Sequence, residues 1–363
     1  TCFSIKIVVL HRKDTIMQNC INILDGHNDF SEHLSDTFEE NKHLLFERQT
    51  KGHLDLPRMH DGRFAGGFFA IFIPQPAPTE ELTDDEKRAR NYNPLDPAYA
   101  REQTISRIHM LVQLAQQSNN AVTIVLTADE LKQAYASNTI AMILHIEGAE
   151  AIASDLSNLD FFYNLGVRSI GPVWSRVNVF GHGVTSGGPG SPDTGPGLTN
   201  AGKELVKACN RMGILVDCSH INEKGFWDIA KITTKPLVAT HSCVHAISPS
   251  KRNLTDKQIA AIGESHGVIG INFAVHFLRE DCAINTDTPL SLIVQHAQYI
   301  ADRIGVDHVA FGSDFDGAPI PAALKDVSGL PLLIDEFRSH GFTLEEIEKI
   351  AYKNWIRILE TTL

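Results

Sequence analysis

Ile21-Asn22-Ile23-Leu24-Asp25-Gly26-His27-Asn28-Asp29 is an apolar, β-branched run that breaks into acid and imidazole. Its apolar part, 21–24, reads as a strand. A strand's period of two then puts the side chains of His27 and Asp29 on one side, aimed at a common point. In a chain with 17 histidines a lone His-x-Asp pair arises easily by chance. The pair gains weight because the same boundary recurs further on. Ile143-Leu144-His145-Ile146-Glu147-Gly148 ends an apolar run in a carboxylate, and Val216-Asp217-Cys218-Ser219-His220 ends one in an imidazole. Val238-Ala239-Thr240-His241-Ser242 supplies another imidazole, and Phe311-Gly312-Ser313-Asp314-Phe315-Asp316-Gly317 supplies further carboxylates.

Eight such runs can be counted, at 21–24, 67–73, 140–145, 168–173, 214–217, 236–240, 267–272 and 308–312. Helical stretches are expected near 98–118, 129–137, 155–164, 200–212, 222–231, 255–263, 289–303 and 344–360, with Thr199 and Asn200 able to cap the fourth. Strands alternating with helices predict an α/β fold, a (β/α)₈ TIM-type barrel, in which the carboxyl ends of all strands converge on one mouth. Five of the eight runs end in His, Asp or Glu. A charged group beside a core is costly unless paired or metal-bound, so packing is a poor explanation for that pattern. The whole chain, 1–363, reads as a single barrel domain with two excursions. Residues 74–97 hold Pro74, Pro76, Pro78, Pro94 and Pro97 around a charged middle and read as a surface insertion. The Gly-rich loop 181–197 follows a strand on the catalytic side and reads either as surface or as cover for a substrate.

The formal charge of −12 is dispersed, which argues against a phosphate-backbone partner and favours a small-molecule one. Six cysteines without a CxxC pair read as free thiols of a reducing compartment, the cytoplasm, with the periplasm as the alternative. Cys209, Cys218 and Cys243 read as small buried hydrophobes. No run reaches 18 apolar residues, so no membrane span is expected. The apolar patch at 5–10 is followed by His11, Arg12, Lys13 and Asp14 and lacks the small-residue cleavage site of a signal peptide.

Three imidazoles and two carboxylates suit a borderline divalent metal such as zinc. One zinc uses three or four protein ligands, so five fit two Zn2+ ions better. Glu147 would then bridge, with His27 and Asp29 on one ion and His220 and His241 on the other. Metals about 3.5–4 Å apart can share a hydroxide nucleophile and polarise a scissile carbonyl. Asp314 lies outside this count and is placed to shuttle a proton to the departing amine. His145 shares the side of Glu147 but is not needed as a ligand; the remaining histidines read as surface or packing groups.

Together these segments resemble the membrane (renal) dipeptidase family of zinc peptidases, within the amidohydrolase-type barrels. The resemblance runs from about Ile23 to the final helix and includes Asp25-Gly26-His27-Asn28-Asp29, His53-Leu54-Asp55-Leu56-Pro57-Arg58, Ile146-Glu147-Gly148, Asp217-Cys218-Ser219-His220, Thr240-His241-Ser242, Lys251-Arg252-Asn253 and Gly312-Ser313-Asp314-Phe315-Asp316-Gly317. It implies a dipeptidase working through a binuclear zinc-activated hydroxide. One metal falls on His27, Asp29 and Glu147, the other on Glu147, His220 and His241. The family's carboxylate-binding arginine maps onto Arg252, eleven residues after His241. Its bidentate fork would hold the C-terminal carboxylate of a dipeptide; the plainer reading of Arg252 is a solvated loop charge. The resemblance also hints at a homodimer. One position departs from the pattern: Trp174 stands where renal-type members carry a substrate-contacting histidine. An indole N–H donates one hydrogen bond but carries no proton as imidazole does, and Arg176, Asn178 or His182 could supply the positive charge instead. The lipid anchor of the animal enzymes is not implied.

Two other readings compete. Another metal-dependent amidohydrolase, acting on a lactone, imide or acylated amino acid, would use the same barrel. Arg252 argues against it, since a lactonase has no use for a carboxylate clamp. Most amidohydrolase relatives also open with His-x-His and bridge with a carbamylated lysine, whereas here the opening is His-x-Asp and the bridge is Glu147. A dead barrel kept for binding would have lost ligands, and none is missing.

Overall fold

Ile140–Glu147 shows how this chain builds its sheet. All eight of its residues are buried, as a parallel strand covered on both faces requires. Ala141 and Ile143 join an inner cluster with Leu24, Phe68, Leu215, Val238, Val268 and Ala310. Met142, Leu144 and Ile146 instead join the larger outer cluster, which contains helix residues such as Leu111 and Leu114.

In the computed structural model, which describes residues 21–34, 37–79, 81–186 and 188–363, the strands are β1 (Ile23–Asn28), β2 (Phe64–Phe72), β3 (Val122–Ile124), β4 (Ile140–Glu147), β5 (Val167–Gly171), β6 (Leu215–Val216), β7 (Val238–Ser242), β8 (Val268–Ile271) and β9 (Val309–Phe311). All pair in parallel, in the order β6-β5-β4-β2-β1-β9-β8-β7, and a parallel bridge from Asp217 to Val238 closes β6 onto β7. The eight expected strands therefore form a closed (β/α)₈ barrel. β3 is additional. It pairs with Ile140, Ala141 and Met142 of β4, and three residues are too few to show as a run in the sequence. β1 runs past its apolar part to Asn28, because Asp25 and His27 are strand residues whose polar groups are used inside the barrel.

The helices at Pro97–Gln116, Ala128–Ser137, Asn200–Met212, Glu223–Ile232, Asp256–Glu264 and Ser291–Ile304 match the expected positions. Thr199 caps the third of these by accepting from the Gly202 amide. The helix expected at 155–164 is confined to Leu159–Asn164. The final one, expected unbroken over 344–360, is interrupted by a wider turn at Lys349–Lys353 before Asn354–Thr362. That last segment sends Trp355, Ile358 and Leu359 into the inner cluster and plugs one end of the barrel. The Trp355 indole donates to the Phe311 carbonyl at 2.9 Å. A Cβ on Gly26 would come within 2.3 Å of the Thr240 carbonyl and 2.4 Å of the Trp355 ring, so this inner position requires glycine.

The 74–97 excursion carries an exposed helix, Asp84–Asn91, opened by a Thr83/Glu86 capping box. Among the described residues no helix is long and apolar enough to cross a membrane. Cys209, Cys218, Cys243 and Cys282 are free and buried. Cys2, Cys20 and the apolar patch at 5–10 lie outside the described residues.

Candidate metal centre

Two strands bring a histidine to the same point by the same device. Against β2, Asp25 of β1 lies opposite Gly67 but Asn28 lies opposite Phe69. Against β8, Ala239 of β7 lies opposite Ile269 but Ser242 lies opposite Ile271. Each strand thus carries one extra residue, which resets its inside–outside alternation. Leu24 and Val238 face the inner cluster, so strict alternation would turn His27 and His241 outward. The bulges turn both into the mouth, with ring centroids 3.7 Å apart.

Around them the other ligand-type residues close in. His27 Nε2 lies 3.4 Å from Asp29 Oδ2 and 3.6 Å from Glu147 Oε1. The same Glu147 oxygen is 2.9 Å from His220 Nε2 and 3.5 Å from His241 Nε2. His220 reaches this position with φ at 65°, a left-handed conformation that a non-glycine residue holds only where its surroundings enforce it. The candidate ligand atoms of His27, Glu147 and His241 lie within 4.8 Å of one another, and so do those of His27, Asp29 and Asp314. All five residues expected to hold metal are therefore together and buried.

Their hydrogen bonding leaves the inward-facing atoms uncommitted. Both ring nitrogens of His27 are buried without a hydrogen-bond partner. Thr240 Oγ1 donates to Asp217 Oδ2 at 2.6 Å and is 2.8 Å from His241 Nδ1. The hydroxyl must then accept from Nδ1–H, which leaves a lone pair on His241 Nε2. His220 Nδ1 lies 2.8 Å from Ser175 Oγ, and the two Nε2 atoms face each other at 2.9 Å. Two buried imidazoles whose Nε2 atoms meet at one carboxylate oxygen fit a bound cation, with the Ser175 hydroxyl able to accept from His220 Nδ1–H as Thr240 does from His241. The electrostatics agree. Burial pushes the Glu147 and Asp29 carboxyls well above the usual range, and burial holds the His220 and His241 imidazoles well below theirs. A divalent cation reverses both penalties for the carboxylates while requiring neutral histidines. Removing the Thr240 hydroxyl tests this support: Thr240→Val weakens metal affinity about 10–100-fold, measured by competition with a chromogenic chelator.

Asp314 stands beside this cluster rather than apart from it. Its backbone, also left-handed at φ 60°, donates to the His27 carbonyl at 3.0 Å, and Asn272 Nδ2 donates to its Oδ2 at 2.9 Å. A Cβ on Gly317 would lie 2.1 Å from Asp29 Oδ2 and 2.5 Å from Asp314 Oδ1, so the two carboxylates need glycine there.

Arg252 is buried, which removes its reading as a solvated loop charge. Its Nη2 donates to the His241 carbonyl at 3.3 Å, its guanidinium carbon lies 5.4 Å from the Phe277 ring centre, and its Nε has no partner. Among the described residues no carboxylate pairs with it.

Asp29, Glu147, His220, Asp314 and Trp174 line one cavity of about 270 Å³, together with Glu32, Phe72, Ser175, His276 and Phe277. A larger groove of about 680 Å³, walled by Leu95, Ile152 and Val179, contains no histidine. Trp174 is half-buried in the cavity wall, 4.7 Å from Phe72 and stacked on Tyr92 at 5.9 Å. Tyr92 closes the helix Asp84–Asn91 within the 74–97 insertion, and its hydroxyl meets the Ser186 carbonyl at 3.0 Å and the Ser186 hydroxyl at 2.7 Å. Asn91 and Ser186 both line the cavity, so the insertion and the Gly-rich loop are part of its wall. The groups considered near Trp174 are otherwise occupied: Arg176 Nε donates to Glu150 at 2.7 Å, and Asn178, a neutral amide, donates to the Pro172 carbonyl at 2.9 Å. His182 is not in the cavity lining. His145 sits beneath, its ring centre 5.5 Å from that of His27 and its Nδ1 2.9 Å from Ser169 Oγ, and burial pushes its pKa down to about 3.

Comparison with known proteins agrees with this geometry. A metallopeptidase of Rhodobacter sphaeroides, solved with a phosphinate mimic of the dipeptide L-Ala-D-Ala, superposes with a TM-score of 0.89 at 43% identity, covering 95% of this chain and 100% of its own. The dipeptidase AC, a metallopeptidase of family M19, gives 0.88 at 44% identity over 94% of this chain and 99% of its own. An uncharacterized protein in the pqqA 5' region of Klebsiella pneumoniae is 47% identical over 254 residues, 70% of this chain and 94% of its own. The family described as membrane dipeptidase (peptidase family M19) matches residues 10–362. The chain belongs to that family and is a metal-dependent dipeptidase.

Proposed function

We propose that the centre holds two zinc ions, one on His27, Asp29 and Glu147 and the other on Glu147, His220 and His241. The observation that carries this reading is the single Glu147 oxygen facing three imidazole nitrogens at 3.6, 2.9 and 3.5 Å. A set of three histidines and two carboxylates exceeds what one ion uses, and its donors suit zinc. Zinc held by these residues would supply a Lewis acid for the scissile carbonyl and a water of lowered pKa. The protein's own groups do the rest. Asp314, steadied by Asn272, passes a proton to the leaving amine. Arg252, buried and without a paired carboxylate among the described residues, takes the substrate's C-terminal carboxylate. Trp174 contacts the substrate from the cavity wall and offers one N–H as donor. The phosphinate mimic of L-Ala-D-Ala held by the Rhodobacter sphaeroides relative makes that dipeptide the natural test substrate.

Arg252 provides the test of a dipeptide against a lactone or imide. A charge-assisted bond to a carboxylate contributes about 1.5–3 kcal/mol, and about 1.4 kcal/mol is a factor of ten. Arg252→Ala therefore lowers kcat/KM for free-acid dipeptides by about 10–100-fold. C-terminally amidated dipeptides, already poor substrates, are little affected, and Arg252→Lys restores only part because an ammonium lacks the fork. Equal losses on free acid and amide would make Arg252 structural and favour a general amidohydrolase.

A further inference from the structure

Four carboxylates line the cavity: Asp29, Glu32, Glu147 and Asp314. Three have work in the reading above, and Glu32 has none. It lies on the single turn Phe30–His33 that follows β1, at the open rim. Among the described residues no hydrogen bond or ion pair holds its carboxylate. The cations nearest to it are engaged elsewhere. Arg107 donates to the Ser31 and Leu34 carbonyls, and His33 Nε2 is 3.2 Å from Asp316 Oδ1. Arg107 and His33 offset part of its charge, while Asp29, Asp314 and Asp316 add negative charge to the same side of the mouth.

Arg252 lies on the loop after β7, and β7 is three strands away from β1 around the ring, by way of β8 and β9. Arg252 is thus a buried cation behind Phe277, which lines the cavity, and Glu32 is an anion without a hydrogen-bond partner among the described residues, at a separate point of the rim. A dipeptide is a zwitterion with its charges at opposite ends, and matching two fixed charges to it selects for both ends at once. We infer that Glu32 binds the free α-ammonium group of the substrate, so that the site requires an unblocked amino end as well as a free carboxylate. The inference rests on the dipeptidase reading, with Arg252 at the carboxylate.

The experiment compares L-Ala-D-Ala with its N-acetylated form on zinc-loaded native enzyme, Glu32→Gln and Glu32→Asp, with metal content measured for each. The native enzyme is expected to prefer the free amine. Glu32→Gln, which keeps the shape and loses the charge, narrows that preference about tenfold, chiefly through KM and with metal content unchanged; Glu32→Asp keeps part of it. A preference unchanged in Glu32→Gln, or equal losses on both substrates, overturns the inference and leaves the dipeptidase reading intact. Loss of metal in Glu32→Gln also overturns it, by making Glu32 part of the metal centre. A native enzyme that cleaves neither substrate overturns the dipeptidase reading itself, and the inference with it.

Discussion

Glu147→Gln enzyme is expected to lose metal and turnover together, with activity reduced by more than about 100-fold. The native protein is expected to bind about two zinc equivalents per chain. Replacement of residues that merely orient metal ligands already costs about 10–100-fold, and in the proposed arrangement Glu147 would be a ligand itself. Its Oε1 is the meeting point of His27, His220 and His241, so no other side chain removes as many contacts at once. Gln has the same shape but brings no negative charge to a buried cation site, and an amide oxygen is a weaker ligand than a carboxylate. Elemental analysis of native and variant protein, beside turnover after chelation and after zinc is restored, makes the check. A single equivalent in the native protein, with content and activity unchanged in Glu147→Gln, would falsify the two-metal arrangement.

Asp314→Asn is expected to lower kcat by about 100-fold or more while metal content stays near native. Proton transfer to a departing amine requires a group that can take up and release a proton, and the amide that replaces the carboxyl can accept or donate a hydrogen bond but shuttles no proton. The structure sharpens this test, because an oxygen of Asp314 lies within 4.8 Å of the ligand atoms of His27 and Asp29. If the variant binds less zinc, Asp314 is a ligand and proton transfer must fall to another group.

Much of this could be read from the sequence because a barrel's chemistry collects at strand ends, and strand ends can be located from where apolar runs stop. His27, Glu147, His220, His241 and Asp314 were each found as the polar residue at such a stop. How they meet could not be read. His27 and His241 face inward only because β1 and β7 each carry an extra residue against their neighbours, and a bulge has no signature in hydrophobic spacing. The supports Ser175 and Thr240 each sit beside a site residue in the chain, yet serine and threonine are too common for that adjacency to stand out. Glu32 falls past the end of β1 in a short turn, where a surface charge is the ordinary expectation. The break at Lys349–Lys353 was hidden because the apolar spacing over 344–360 continues through it. The alternation of β4, buried on both faces, reads as one apolar run whether it lies in a barrel or an open sheet.

The contact between Tyr92 and Ser186 bears on how this enzyme could be re-engineered. It ties a proline-bounded insertion to a glycine-rich loop nearly a hundred residues later in the chain, above the same wall that holds Trp174. A barrel's active site varies through the loops at its mouth, so exchanging one loop is a direct way to alter what it accepts. Here a single exchange would strand one half of the contact, at a cost of about 0.5–1.5 kcal/mol for the lost hydrogen bond, and would unseat the Tyr92 ring from Trp174. The two segments form one transplantable unit, and a chimera that moves them together keeps the wall intact while changing its outline.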